Sequence, residues 1–442
     1  MRQVLYFLLV AYFSASTVAY ADEQDVFSTA ALNANSGVII SEIRIEGLRW
    51  TKEKAVRWLL TQHEGDVFDA ELWIKGIHNL YDTTVVYNVT TNITRLDSGK
   101  LIIVLHLSDR WSLLPYGIFQ AGGGSNNLGG GVFDANLLGY FTQVSASYNT
   151  FDNVATYDFN LYQEFFLDTN LILGFDISQT GTPVDLQSNH GDSLGDFTWS
   201  RTQYQLLLGE RLETHWQPKI RLFSYFEYFR DQMLENDHAP EAHVYSHPQW
   251  RIRPTVIFGR SELTNFLEQG QEITFAPTSA NFFDGRRAYS TAVATYKKVF
   301  LDGNTNYAIF LNSGAMTTAP VPYLFRLGGY DTVRGFSTNR AMGRYYINDS
   351  IEYRPYLARF KIPLAGETVL QGNLFTDGAV MWNSTNLAQT RLVDSEISLL
   401  SVGAGVRFNF LRFAGAVVRI DFAKTVTPEE GWGSAIGVGQ FF

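Results

Sequence analysis

One arginine in this sequence stands where a guanidinium could do structural chemistry. Arg334 lies within Leu327-Gly-Gly-Tyr-Asp-Thr-Val-Arg-Gly-Phe-Ser-Thr-Asn-Arg340, which has neither strand alternation nor helical period and separates two strand-like segments. Downstream, Glu352 and Asp377 sit in alternating segments. In the first, Ile351, Tyr353 and Leu357 share one parity; in the second, Leu370 and Leu374 do, so Glu352, Phe375 and Asp377 take the opposite face. Two carboxylates on one face of neighbouring strands need a cation, and neither strand is expected to supply one beside them. Arg334 supplies it if its loop folds back over that face, because a guanidinium gives directed hydrogen bonds to both carboxylates and a lysine does so less well. Gly335 permits a tight backbone, and Phe336 would pack on the same wall. That is the chemistry of a clamp. The bland alternative is a surface loop with unrelated charges.

Other candidates carry less. His238, His243 and His247, with Glu235, Asp237 and Glu241, share one polar stretch whose spacing could hold zinc, although an exposed loop accounts for them as well. Gly122-Gly-Gly-Ser125 has no following Gly-Lys-Ser/Thr and is no phosphate loop. No Gly-x-Ser-x-Gly occurs, which removes the usual esterase signature. Asn88-Val-Thr90 and Asn92-Ile-Thr94 fit a glycosylation sequon but read as β-formers in a strand. The expectation is no catalytic residue, no metal and no cofactor: the chain is not an enzyme.

What must position the clamp is a β-rich chain. It has 442 residues, no cysteine, a formal charge of −10, 37 glycines and 15% aromatic residues, mostly Phe and Tyr. The acidic balance, without a dense Lys/Arg stripe, argues against nucleic acid as a partner. Without cysteine there is no disulfide framework. Residues 1–21 form a signal peptide, with Arg2, the apolar run Val4–Phe13 and Ala19-Tyr-Ala21 as the cleavage site; ten apolar residues are too few to span a bilayer. No later apolar run reaches the length of about eighteen residues that a membrane helix needs. The mature chain is therefore a secreted soluble protein or a membrane β-barrel, between which hydropathy does not choose.

Residues 22–36 read as a flexible lead-in, and 37–111 as a small domain. Val38–Glu46 alternates as a strand. Thr51 would cap a helix pairing Ala55 with Leu59 and Val56 with Leu60; Asp69 would cap a second carrying Leu72, Trp73, Ile77 and Leu80. Strands follow at Thr84–Thr94 and Leu101–Leu107, with Ser98-Gly99 between them. This β-α-α-β-β order resembles a POTRA domain, the periplasmic module preceding certain outer-membrane barrels. The resemblance implies an open strand edge, with Thr84–Thr94 the candidate, for β-augmentation of an extended client.

From 112 to 442 only strands are expected, sixteen of them, starting near Leu113, Asn127, Phe141, Ala155, Asn170, Thr198, Lys219, Trp250, Gln271, Ala288, Asn304, Asn348, Thr368, Glu396, Gly415 and Gly433. In Leu400–Phe410 and Ala416–Ala423 one face is apolar and the other carries Arg407, Arg419 and Asp421, as lipid outside and a polar lumen require. Long polar connections (Ser178–Asp196, Asp231–Pro248, Pro320–Tyr346, Trp382–Asp394) fall on one side and tight turns such as Asp302-Gly303 on the other. That asymmetry marks a sixteen-stranded antiparallel membrane barrel, and an even strand count returns both ends to one side.

Within that frame, Val333-Arg334-Gly335-Phe336 resembles the loop-six signature of the outer-membrane barrel-assembly superfamily, which includes BamA, TamA and the two-partner-secretion transporters. Glu352 lies in Asn348-Asp-Ser-Ile-Glu-Tyr-Arg-Pro355, similar to the family's glutamate strand. Phe375-Thr-Asp377-Gly378 is close to its F-x-D-x-G motif, with Ala379 at the final glycine's place. The C-terminal Ile436-Gly437-Val-Gly-Gln-Phe-Phe442 resembles the terminal-Phe signal of outer-membrane barrels. The resemblance implies an outer-membrane protein that inserts or translocates polypeptides, with loop 320–346 folded inward and Arg334 pinning it. Its implied partners are the lipid bilayer, unfolded or exported client polypeptides, and periplasmic chaperones or accessory assembly proteins. Lateral opening between first and last strands is part of that picture, and Gly433, Gly437 and Gly439, with Gly122–Gly124, would weaken that seam. A dedicated secretion transporter for one partner and a passive porin are the alternatives.

Overall fold

The computed structural model describes residues 32–438 except 84, 123–124, 152–153, 165, 167–168, 188–192, 213–219, 236–247, 265, 284, 286–287, 320–322, 364–365, 384–395, 412–416 and 429–430. The signal segment, the His238–His247 stretch, Gly123, Gly124 and Phe442 lie outside these residues.

Contacts gather the chain into two units: residues through Leu48 with 60–79 and 88–108, and 49–59 with 80–87 and everything from Asp109. β1 (Ile40–Glu46), β2 (Val86–Arg95) and β3 (Leu101–Asp109) form a sheet in the order β1-β3-β2, which belongs to the first unit except for Val86, Tyr87 and Asp109. β3 alternates without a break, burying Leu101, Ile103, Leu105 and Leu107. Its pairing with β1 is parallel, Ile43 opposite Ile103. Parallel neighbours need a crossover, and the helices α1 (Glu53–Leu59) and α2 (Ala70–Asp82) lie within it. Asp69 caps α2 by accepting the Leu72 amide at 3.0 Å, and Trp73 is buried with its indole N–H donating to Thr91 Oγ1 at 3.0 Å. The helix α1 starts at Glu53 rather than directly after Thr51. β2, the expected free edge, occupies one edge of the sheet and β1 the other.

The second unit holds a closed antiparallel barrel. In chain order its strands are β4 (Leu113–Gly122), β5 (Ser125–Leu137), β6 (Thr142–Phe151), β7 (Val154–Gln163), β8 (Leu171–Gln187), β9 (Ser193–Leu212), β10 (Ile220–Glu235), β11 (Pro248–Thr264), β12 (Leu267–Phe282), β13 (Tyr289–Asp302) and β14 (Thr305–Met316). After a hairpin of β15 (Phe325–Leu327) and β16 (Ala341–Gly343), β17 (Tyr345–Arg354), β18 (Tyr356–Ile362), β19 (Gly366–Trp382), β20 (Glu396–Phe410), β21 (Val417–Thr427) and β22 (Gly431–Val438) complete the wall. β17 and β18 are halves of one strand: both pair with β19, and Pro355, which has no amide hydrogen, interrupts them. Counted so, the wall has sixteen strands, and β22 lies beside β4 to close it.

The pattern of burial makes this a membrane barrel. On β20, Leu400, Val402 and Ala404 face outward and Ser401, Arg407 and Asn409 are buried inward; on β21, Phe422 faces outward while Arg419, Asp421 and Thr425 are buried. Aromatic contacts line the outer surface of β13, β14, β17 and β19, Tyr345 stacked on Trp382 and Tyr307 against both Phe300 and Tyr353.

Two expectations need correction. Ser178–Asp196 is not a loop through most of its length: β8 and β9 continue pairing from Ser178–Gln203 out to Leu186–Gly195, so a ladder of polar residues carries the hairpin onward. The lumen is also not polar throughout. Near the short-turn end, Ile172, Leu207 and Phe223 form an inward apolar cluster with Tyr162, Tyr225 and Ile257 against it.

Candidate functional site

The residues between β14 and β17, numbered 317–344, are called loop six below; of these, Leu327, Val333, Arg334, Phe336 and Ala341 are buried inside the barrel. The local chain makes the fold-back possible. Gly328, Gly329 and Gly335 all have positive φ, near 109°, 99° and 96°, a region that side chains with a Cβ avoid. The Thr332 hydroxyl closes a tight turn, accepting from the Gly328 amide at 2.8 Å and donating to the Gly328 carbonyl at 3.1 Å. Val333 and Phe336 are buried in a cluster with Leu327, Ala341, Tyr346, Ala379, Met381 and Leu399, so the loop lies on the inner wall of β17, β19 and β20.

That packing aims Arg334 at the wall. Its Nε donates to Asp377 Oδ2 at 2.7 Å and its Nη2 to Asp377 Oδ1 at 2.8 Å, a bidentate fork. Nη1 reaches Glu352 Oε1 at 2.7 Å and Asp421 Oδ2 at 3.3 Å, and Nη2 reaches Ser350 Oγ at 3.2 Å. The Arg334 backbone amide adds a bond to Asp377 at 3.1 Å. Phe375 lies under the guanidinium, 3.4 Å from ring centroid to Cζ, in room left by Gly403, whose missing Cβ would fall 2.2 Å from that ring. Arg334 is 1% exposed, so the whole arrangement is desolvated.

The structure thus brings Val333, Arg334, Gly335, Phe336, Glu352, Phe375 and Asp377 together. It also overturns the expectation that Glu352 has no cation beside it. Arg354, two residues along the same strand, bonds Glu352 Oε2 from Nε at 2.7 Å, and Arg407 of β20 reaches the same oxygen at 2.7 Å. Arg354 shares the inward parity of Glu352 and was legible on that ground; Arg407 and Asp421 were legible as inward charges, but their height on the wall was not. Asn373 ties the network, donating to Glu352 at 3.3 Å and to Asp421 at 3.2 Å.

The remaining motif residues do other work. Ala379 is buried beneath the loop, whereas Gly378 faces outward and leaves room for Asp349, whose Oδ1 would lie 2.7 Å from a Cβ there. Gly437 faces Arg419, whose Nε lies 3.0 Å from where a Cβ would stand. Gly433, expected only to weaken the last strand, lies against loop six itself: a Cβ on it would fall 2.7 Å from Gly335 Cα.

No protein-family model matches the sequence, and no curated protein is similar to it in sequence. Solved structures share its fold. CdiB from Escherichia coli superposes with a TM-score of 0.66 at 13% identity over 91% of this chain and 77% of that one. CdiB from Acinetobacter baumannii gives 0.64 at 16% identity, covering 91% and 73%. BamA from Haemophilus ducreyi, in a form lacking POTRA domains 1–3, gives 0.57 at 13% identity, covering 91% and 84%. The chain has the fold of these barrels, the one that its loop-six motif resembles.

Proposed function

We propose that this chain is an outer-membrane protein that inserts or translocates other polypeptides in the bacterial envelope, without cofactor or nucleotide. The observation that carries this reading is Arg334 of the Val-Arg-Gly-Phe loop, held inside the barrel by Glu352 and Asp377. A passive pore would have no need to bury an arginine-centred clamp, which costs desolvation, to keep a loop in its own conduit. On this reading residues 1–21 are a cleaved signal peptide and 37–111 a POTRA domain in the periplasm. The domain takes an extended client segment at the edge strand β2, where backbone hydrogen bonds bind with little regard to sequence. The client then passes at or through the barrel, with the β22–β4 junction as the opening.

The test is deletion of the gene followed by comparison of the outer-membrane and secreted proteomes. Broad loss of barrel proteins supports insertion. Loss of a single exported protein supports dedicated secretion, the second reading, which the loop-six resemblance covers equally. Altered solute uptake with both proteomes unchanged would sink both in favour of a porin.

A further inference from the structure

Loop six is held at a second place, on another wall. Tyr323, eleven residues before Arg334, is buried against β9, β12 and β13: its ring stacks on Tyr289 at 5.3 Å and meets Phe282 and Trp199 edge-on at 5.6 and 5.7 Å. Its hydroxyl donates to Asp231 Oδ2 of β10 at 2.9 Å. Asp231 is 1% exposed, yet it is fully served by the wall: Arg201 Nε of β9 donates to Oδ1 at 2.7 Å and Gln249 Nε2 of β11 to Oδ2 at 2.8 Å. Gln249 is held in turn by the Tyr289 hydroxyl at 3.1 Å. Met342, on the second arm of the loop's hairpin, completes the cluster.

The two attachments differ in what their release would leave behind. If Arg334 withdrew, Asp377 would lose its guanidinium and keep only the Ser350 hydroxyl, a buried charge without a counter-ion. If Tyr323 withdrew, its ring would lose Tyr289, Phe282 and Trp199 and its hydroxyl its acceptor, but Asp231 would retain Arg201 and Gln249, and no buried charge would be left without a counter-ion. Arg201 pairs Asp231 whether or not the loop is docked, so the carboxylate can accept the Tyr323 hydroxyl and release it without being left bare.

We propose that Tyr323 and Asp231 form a releasable latch: Arg334 is the fixed end of loop six, and Tyr323 is the end that lets go of the β9–β13 wall to open the lumen. The opening rests on the reading of the barrel as a conduit, while the latch does not, and no client is needed to test it.

The chain has no cysteine, so one introduced thiol reports on one place. In the purified full chain, maleimide labelling is timed at Met342→Cys, beside the latch, and separately at Val333→Cys, beside the clamp. Adding Tyr323→Phe, which keeps the ring and removes the hydroxyl, should speed labelling at Met342→Cys about tenfold, as loss of one hydrogen bond to a charged group implies, and leave Val333→Cys unchanged. Asp231→Asn should act in the same direction, and heat-modifiable migration checks that each variant is folded. Unchanged labelling at Met342→Cys in folded Tyr323→Phe would overturn the latch; equal acceleration at both sites would overturn the division into fixed and releasable ends. In planar bilayers Tyr323→Phe should raise the time spent in conducting states at least several-fold. Faster labelling with unchanged conductance would overturn the opening, and failure of the proteome comparison would remove the transport reading while leaving the latch intact.

Discussion

At the scale of single residues, the clamp is a problem of matching donors to acceptors. Arg334 uses Nε and Nη2 on Asp377 and Nη1 on Glu352, a division of labour that only a planar fork provides. Arg334→Ala should therefore lower the barrel's stability by about 3–5 kcal/mol, less whatever lumen water recovers, seen as a lower urea midpoint and a loosened heat-modifiable form. Arg334→Lys keeps the charge but loses the fork, and should fall between the two. Equal midpoints for wild type and Arg334→Ala would remove the clamp from consideration. The outer surface poses the opposite problem. Asp349 shares the outward parity of the exposed Ile347 and Ile351, pairs across to Leu311 and Gly378, and lies midway between the Tyr345–Trp382 stack and Tyr353. A carboxylate there faces hydrocarbon, so Asp349→Leu should stabilise the folded barrel in lipid by about 1–2 kcal/mol. No gain in unfolding midpoint in vesicles would show that the notch at Gly378 already shields the acid.

At the scale of elements, the last strand owes its composition to what lies on it. The inward positions of β22 are Gly431, Gly433, Ala435 and Gly437, a face with no side chain beyond a methyl. Loop six comes to backbone contact at Gly433, and Arg419 occupies the room at Gly437. A Cβ at Gly433 would strike the Gly335 backbone at 2.7 Å, while one at Gly431 would meet nothing nearer than Thr425 Oγ1 at 3.3 Å. Gly433→Ala should therefore cost more stability than Gly431→Ala, by about 1–3 kcal/mol, in parallel urea titrations. The alternation of β20 and β21 was legible in the sequence because lipid and lumen impose opposite polarity on successive residues. So was the inward turn of Glu352 and Asp377. The β8–β9 hairpin extension was not, because Ser178–Asp196 is as polar as a loop and only its pairing makes it a strand. Tyr323 carried no signal either: it stands in an aperiodic segment, and its partner Asp231 is ninety-two residues away in sequence.

At the scale of the whole barrel, clamp and seam meet. Arg334 bonds β17, β19 and β21, and the next residue, Gly335, touches β22, whose other neighbour is β4. Loop six therefore braces the closing strand from inside while fastened to β17, β19 and β21, which precede it in the wall. A seam that parts between β22 and β4 keeps β22 attached to β21, with eight residue pairs from Val418–Val438 to Thr425–Gly431, so the loop can stay pinned while the wall opens. The reading of the barrel as a gate in its wall then makes a definite prediction. Cysteine pairs placed along β22 and β4 of the cysteine-free chain should form disulfides that abolish restoration of the affected proteome in a deletion strain, with activity returning on reduction. The same pairs placed across β21 and β22, which need not part, should leave activity intact. A fully oxidised β22–β4 lock that still restores the proteome would exclude lateral opening and confine the client's path to the lumen, where the Tyr323 end of loop six would then be the barrier left to move.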